Sequence, residues 1–165
     1  MTPLALLRIY LLRHAKSAWA QSGERDFDRP LDSEGFTEAG SIAEKAAGRG
    51  YRPARILSST AVRCRQTAQA FHQAAGGKPE VFFSDELYNA PVDIYLELLA
   101  ANDDVESLMI IGHNPTIEEA LERLAGVERS ADLLPLGYPT GGLAVLDRPS
   151  SHDARIWQVA DFVTP

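Results

Sequence analysis

His14, His113, Arg13, Arg63 and Glu86 lie far apart in the chain, yet each stands just past an apolar run. The run Arg8–Leu12 ends on Arg13–His14. Ala54–Ser59 is followed by Thr60 and, within one helical turn, Arg63. The segment "EVFFSDELY" carries Asp85–Glu86, and "SLMIIG" ends on His113–Asn114. If these runs are parallel strands, their polar successors share one edge, the place where open α/β sheets bind ligands. Two imidazoles, two guanidiniums and a carboxylate on one edge suit phosphoryl transfer to histidine. A neutral imidazole attacks phosphorus, and water then hydrolyses the covalent intermediate. Arg13 and Arg63 can hold the equatorial oxygens, where charge must be stabilised. Both cations also favour the neutral form of His14. A protonated His113 would be a further donor. The helix that Pro115 is expected to open would add its dipole, with Asn114 at its head among the substrate-facing residues. Glu86 is the available general acid and base. No metal or cofactor is required.

Each residue has an ordinary structural explanation as well. A lone histidine at a strand end usually satisfies a hydrogen bond, and a loop glutamate is usually solvated. Arg63 is less easily explained. A cation in the first turn of a helix opposes the macrodipole, at a cost of about 0.3–1 kcal/mol when exposed. A bound anion reverses that sign. The coincidence of these groups at one edge favours chemistry.

The elements that would position them can be read from period and punctuation. A polar loop runs from His14 through Pro30. The segment "DSEGFTEAGSIAEKAAGRG" then predicts a helix capped by Asp32 or Ser33 and stopped at Gly48 or Gly50. "TAVRCRQTAQAFHQAAGG" predicts a second helix, ending at Gly76–Gly77, and a third is expected from about Val92 to Ala101. "SLMIIGHNP" is the clearest buried strand. Asn114 stands where a helix cap belongs and Pro115 where the first helical residue belongs, with that helix running to about Leu124. The tail "GGLAVLDRPSSHDARIWQVADFV" predicts two strands around a polar turn, an antiparallel edge. Strands alternating with helices give an α/β fold: a three-layer α/β/α sandwich on a mostly parallel sheet, in one domain over residues 1–165.

The motifs "LLRHAKS", "SSTAVRCRQTA" and "IIGHNP" resemble those of the histidine phosphatase superfamily, which includes the phosphoglycerate mutases. The resemblance implies a phosphoglycerate mutase-like fold, His14 as the phosphorylated nucleophile, and Arg13, Arg63 and His113 as the phosphate pocket. The short chain and "RPLDSEG" (Arg29–Gly35) are similar to small SixA-type phosphohistidine phosphatases. Arg29 then either reaches the phosphate or substrate or is an exposed loop arginine. Ala15 and Lys16 stand where many relatives have Gly and an acidic residue, which weakens a mutase reading. Lys16 and Ser17 are open to use as extra phosphate contacts. A phosphohistidine substrate asks little of Glu86, because a protonated imidazole already leaves well.

Alternatives of the same chemistry are a small-molecule phosphoesterase or a phosphomutase. An alternative of another class is a non-catalytic phosphate-binding module. The formal charge of −7 argues against nucleic acid, which needs a broad basic face. No apolar stretch reaches the length of a membrane span. The start "MTPLALLRIYLLRH" lacks a basic leader and reads as the first strand. With one cysteine, Cys64, no internal disulfide forms, which fits a reducing compartment. A cytoplasmic monomer acting on a phosphorylated substrate, a phosphohistidine protein among the options, is the expectation. His72 and His152 receive no role.

Overall fold

Four strands pair side by side in parallel and make up one side of a six-stranded sheet. A computed structural model describes residues 6–151 and 155–165. The strands are β1 (Arg8–Arg13), β2 (Arg55–Ser59), β3 (Glu80–Ser84), β4 (Ser107–Gly112), β5 (Leu143–Asp147) and β6 (Gln158–Val163). Their order is β3-β2-β4-β1-β5-β6. β1, β2, β3 and β4 are mutually parallel, whereas β5 and β6 complete the sheet in antiparallel fashion. The fold is therefore the mostly parallel α/β sheet with an antiparallel edge that the alternation of elements implies.

Alternation along the central strands feeds two cores, because successive side chains point to opposite faces. Ile9 and Leu11 of β1, with Leu108 and Ile110 of β4, pack under Tyr95, Leu99, Ile117 and Leu121. Tyr10 and Leu12, with Met109 and Ile111, pack under Ile42, Ala46, Ala68 and Phe71. The first face is covered by α3 (Val92–Ala101) and α4 (Thr116–Ala125), the second by α1 (Ser33–Gly48) and α2 (Val62–Ala74). Covered on both sides, β1 and β4 are continuous apolar runs whose polar groups can appear only at their tips.

The helix limits follow local chemistry. Asp32 caps α1, its carboxylate accepting from the Gly35 amide at 2.7 Å. Gly35 is also needed for space, since a Cβ there would stand 1.9 Å from the Lys16 carbonyl oxygen. Two expectations change. Pro115 is the N-cap of α4 rather than its first helical residue, and no side chain caps that helix. Asn114 lines the cavity instead of capping the helix. A short helix, α5 (Val127–Leu133), follows Gly126, whose φ of +96° breaks α4. Its "VERSADL" buries only Ser130 and gave no apolar period to detect. Residues 1–5 at the start of the proposed first-strand segment, and His152 in the expected tail turn, lie outside the described residues.

Two tyrosines fasten the strand tips. Tyr138, fully packed, donates its hydroxyl to the Leu11 carbonyl and accepts from the Ala144 amide at 3.2 Å, joining β1 to β5. Tyr95 lays its ring against Gly112 and accepts from the His113 amide at 3.0 Å. A methyl group on Gly112 would meet the Tyr95 hydroxyl at 2.2 Å, and Tyr95 is completely buried and has no free direction. Gly112→Ala is therefore expected to destabilise the protein by about 1–3 kcal/mol through overpacking, read as a fall of several degrees in thermal denaturation.

Candidate active site

β1 delivers Arg13 and His14 to the carboxyl edge of the sheet, and the backbone there is pinned from both sides. The His14 amide donates to the Gly112 carbonyl at 3.2 Å, and the Arg13 amide to the Gly142 carbonyl at 3.1 Å. The Gly141 amide lies 3.1 Å from both the Arg13 and His14 carbonyls. The next amide, of Ala15, donates to Thr67 Oγ1 at 3.1 Å, and Thr67 in turn donates to the Arg63 carbonyl. One threonine thus ties the His14 loop to the first turns of α2, where Arg63 sits.

His14 is 7% exposed. Its Nδ1 lies 2.7 Å from the Ala15 carbonyl oxygen, which can only accept, so the ring proton is assigned to Nδ1 and the lone pair to Nε2. Arg63 Nε points its N–H at that lone pair from 3.4 Å. Burial pushes the His14 pKa down to about 3, opposed by the Ala15 carbonyl and helped by neighbouring His113, Arg63 and Arg13, which disfavour a second positive ring. The result is a neutral imidazole with its lone pair on the nitrogen that faces Arg63.

Arg63, itself 5% exposed, is the hub of the site. Besides Nε on His14, its Nη2 lies 3.3 Å from His113 Nδ1 and 3.1 Å from an Asp26 carboxylate oxygen, and Nη1 donates to the Asp26 carbonyl at 2.8 Å. With Nδ1 accepting from Arg63, His113 turns Nε2–H toward Ser59 Oγ at 2.9 Å. Burial, then the Arg63 charge, pushes its pKa down to about 4. The protonated His113 considered from sequence is thus disfavoured in the ligand-free site. Cys64 Sγ lies 3.6 Å from His113 Nε2, and burial pushes its thiol up to about 12, so it packs as a small buried residue.

Arg13, His14, Asp26, Arg63 and His113 line a cavity of about 690 Å³ whose walls also include Lys16, Ser17, Trp19, Arg29, Asn89, Asn114 and Thr140. Arg13 donates from Nη1 to the Tyr138 carbonyl at 2.7 Å, while its Nε is buried without a partner. Burial lowers its pKa, with Glu118 and Glu38 opposing. Asn114 Oδ1 is also buried and unpartnered. Arg29 is at the cavity, paired with Asp26 at 2.9 Å. Lys16 reaches the wall but gives its ammonium to Glu34 at 2.5 Å. Trp19 stands at the rim, 90% exposed.

Glu86 is not brought to the cavity. It is exposed on the 3₁₀ turn Asp85–Leu87, whose other end sends Leu87 to the wall. The carboxylate at the cavity is Asp26, on the 3₁₀ turn Asp26–Asp28. A hydrogen bond from the Tyr88 hydroxyl at 2.7 Å, and then Arg63 and Arg29, holds its pKa at about 2. Burial, and then this bond to Asp26, raises the Tyr88 pKa. Asp26 and Tyr88 escaped sequence reasoning because both sit on long polar loops without period. For Asp26 the available signal was its spacing three residues before Arg29; Tyr88 had none.

Among the described residues no group of three or more His, Cys, Asp or Glu gathers to hold a metal, and no helix is long and apolar enough to cross a membrane. Residues 9–91 match the histidine phosphatase superfamily (branch 1). An uncharacterized protein of Mycobacterium tuberculosis (strain ATCC 25618 / H37Rv) is 35% identical over 154 residues, 88% of this chain and 91% of its own length. An uncharacterized chloroplastic protein of Arabidopsis thaliana is 33% identical over 129 residues, 72% of this chain but 59% of that longer one. A crystal structure from Agrobacterium tumefaciens, described as a candidate phosphohistidine phosphatase SixA, is 52% identical with a TM-score of 0.90, covering 97% of this chain and 99% of its own.

The buried neutral histidines make stability depend on pH. Their folded pKa values lie below the usual 6.5, so below that value the unfolded chain binds more protons than the folded one. Stability is present above pH 6.5 and is lost as pH falls toward 4, by up to about 1.4 kcal/mol per unit for each histidine. The melting temperature should therefore fall between pH 7 and pH 5, and His14→Asn should flatten that slope.

Proposed function

This chain belongs to the histidine phosphatase superfamily, and we propose that it hydrolyses phosphohistidine through a covalent phosphoryl group on His14. The observation that carries the proposal is the His14 ring: Nε2, free of its proton, faces the Arg63 guanidinium at the wall of a cationic cavity. Nε2 attacks phosphorus, and the bond to the leaving nitrogen breaks on the far side. Arg63, Arg13 and Arg29 hold the phosphoryl oxygens, the charge-stabilising role of such groups in phosphoryl transfer. The Nδ1–H on the Ala15 carbonyl stabilises the positive ring of the phosphoenzyme. Water then attacks phosphorus, and the electron pair returns to Nε2. A dianion against His113 raises that ring's proton affinity, so His113 becomes a donor only when the phosphoryl group is present.

The leaving group favours a phosphorus–nitrogen bond over an ester. An alkoxide needs a protonated acid beside it, and the carboxylate at the cavity, Asp26, is held ionised by Tyr88 and the arginines. A phosphohistidine imidazole brings its own proton. The relative from Agrobacterium tumefaciens carries a name that agrees with this substrate. Lys16, Ser17 and Asn114 belong to the substrate side of the pocket in this reading, and Glu86, exposed, has no step. The reaction proceeds without a metal, since Arg63 supplies the positive charge that bridges both imidazoles. The reading includes a single-domain monomer in the cytoplasm.

The test is a rapid-quench reaction with a labelled phosphohistidine peptide. Acid-labile, base-stable label should appear on His14, and His14→Ala should lose both the label and at least about a thousandfold of turnover. Activity should survive a chelator. Hydrolysis no faster in the wild type than in His14→Ala would refute the mechanism and, if the protein still binds phosphate, leave a phosphate-binding module as the better description.

A further inference from the structure

Arg63 already holds an anion before any substrate arrives. Both oxygens of the Asp26 carboxylate are engaged: one by Arg29 Nε at 2.9 Å, the other by Arg63 Nη2 at 3.1 Å and the Tyr88 hydroxyl at 2.7 Å. The Asp26 carbonyl also accepts from Arg63 Nη1 at 2.8 Å. Three parts of the chain converge on this one side chain: α2, the loop leading to α1, and the loop before α3. Yet the Asp26 side chain is 52% exposed while that of Arg63 is 6% exposed. The guanidinium is buried and fixed, and its partner anion sits at the solvent side. A phosphoryl group reaching His14 Nε2 must meet the same guanidinium, whose Nε is 3.4 Å from that nitrogen.

The geometry points to Asp26 as an internal counter-anion that occupies Arg63 in the free protein, yields it to the incoming phosphoryl group, and takes it back when phosphate leaves. This rests on the phosphatase reading for the identity of the incoming anion. Asp26 is a positioning residue in this scheme: it keeps a buried cation paired between turnovers and competes with product. An unpaired buried cation is costly, and a permanent partner would block the site, so a half-exposed carboxylate meets both demands. Displacing it also loosens the 3₁₀ turn it anchors. The Asp28 and Arg29 amides of that turn are bonded to the Arg25 and Asp26 carbonyls at 3.0 and 3.1 Å.

Titration of the intact protein with inorganic phosphate tests this without requiring turnover. Asp26→Asn should bind phosphate about tenfold tighter than the wild type, as expected for removing a competing charge from contact distance. Asp28→Asn, whose carboxylate pairs with Arg25 at 2.8 Å away from the cavity, should stay within about twofold. In the wild type, phosphate should speed amide hydrogen exchange at Asp28 and Arg29. Tyr88→Phe, which removes one hold on the carboxylate and no charge, should tighten binding in the same direction and serves if Asp26→Asn does not fold. Unchanged or weaker binding in Asp26→Asn or Tyr88→Phe overturns the inference, as does no phosphate binding at all. Tighter binding with unchanged exchange also overturns it, since simple repulsion would then suffice. Displacement as described, with no label ever found on His14, would instead refute the phosphatase reading alone.

Discussion

The site depends on one buried guanidinium. Arg63 enters on the first turn of α2, where its charge opposes the helix dipole, and it is almost completely removed from water. Such a cation persists only if its donors are matched by acceptors. Here they are two imidazole nitrogens and both a carbonyl and a carboxylate oxygen of Asp26. The same contacts that satisfy Arg63 hold the two histidine rings 5.4 Å apart, add to the burial that keeps each neutral, and bring Asp26 to the cavity. Satisfying the arginine and building the pocket are one structural problem.

The sheet solves the rest of that problem by topology. β4 lies between β1 and β2, so His113 at its tip stands between the His14 end of β1 and the start of α2 after β2. Residues 9–14 and 107–113 were legible for this reason: strands covered on both faces must be apolar throughout, and a polar residue at the end of such a run stands out. The caps and stops of α1 were legible too, because Asp32 and the glycines act locally. What could not be read lies where distant segments meet. Asp26 and Glu86 are both loop acids, and apart from an arginine three residues on nothing local distinguishes the one that Tyr88 and two arginines bind from the one that faces water. Likewise Tyr138 and Tyr95 look like ordinary aromatics until their hydroxyls are seen fastening β1 and β4.

Charge is divided in the same spirit. The whole chain carries −7, yet among the described residues the cavity presents Arg13, Arg29, Arg63 and Lys16 against one lining carboxylate, Asp26. Net charge says little about a local surface, and the fixed arginines give this cavity a sign opposite to that of the chain as a whole. Lys16 shows how finely this is set. Its ammonium is at the cavity wall but turned to Glu34 and Asp32 at the head of α1, so it adds less to the pocket than its position in sequence suggests.

The partner that orients His14 is a main-chain carbonyl, that of Ala15, rather than an acidic side chain. Every amino acid carries that oxygen, so no replacement at position 15 deletes it. The tautomer is in this sense insulated from mutation: it can drift only if the path of the loop drifts, through Thr67 or the Gly141–Gly142 turn. A lineage could therefore change the rim around Trp19, and with it the molecules admitted, while the imidazole inside stays aligned. Orientation rests on backbone shape, whereas the exposed rim carries no part of it.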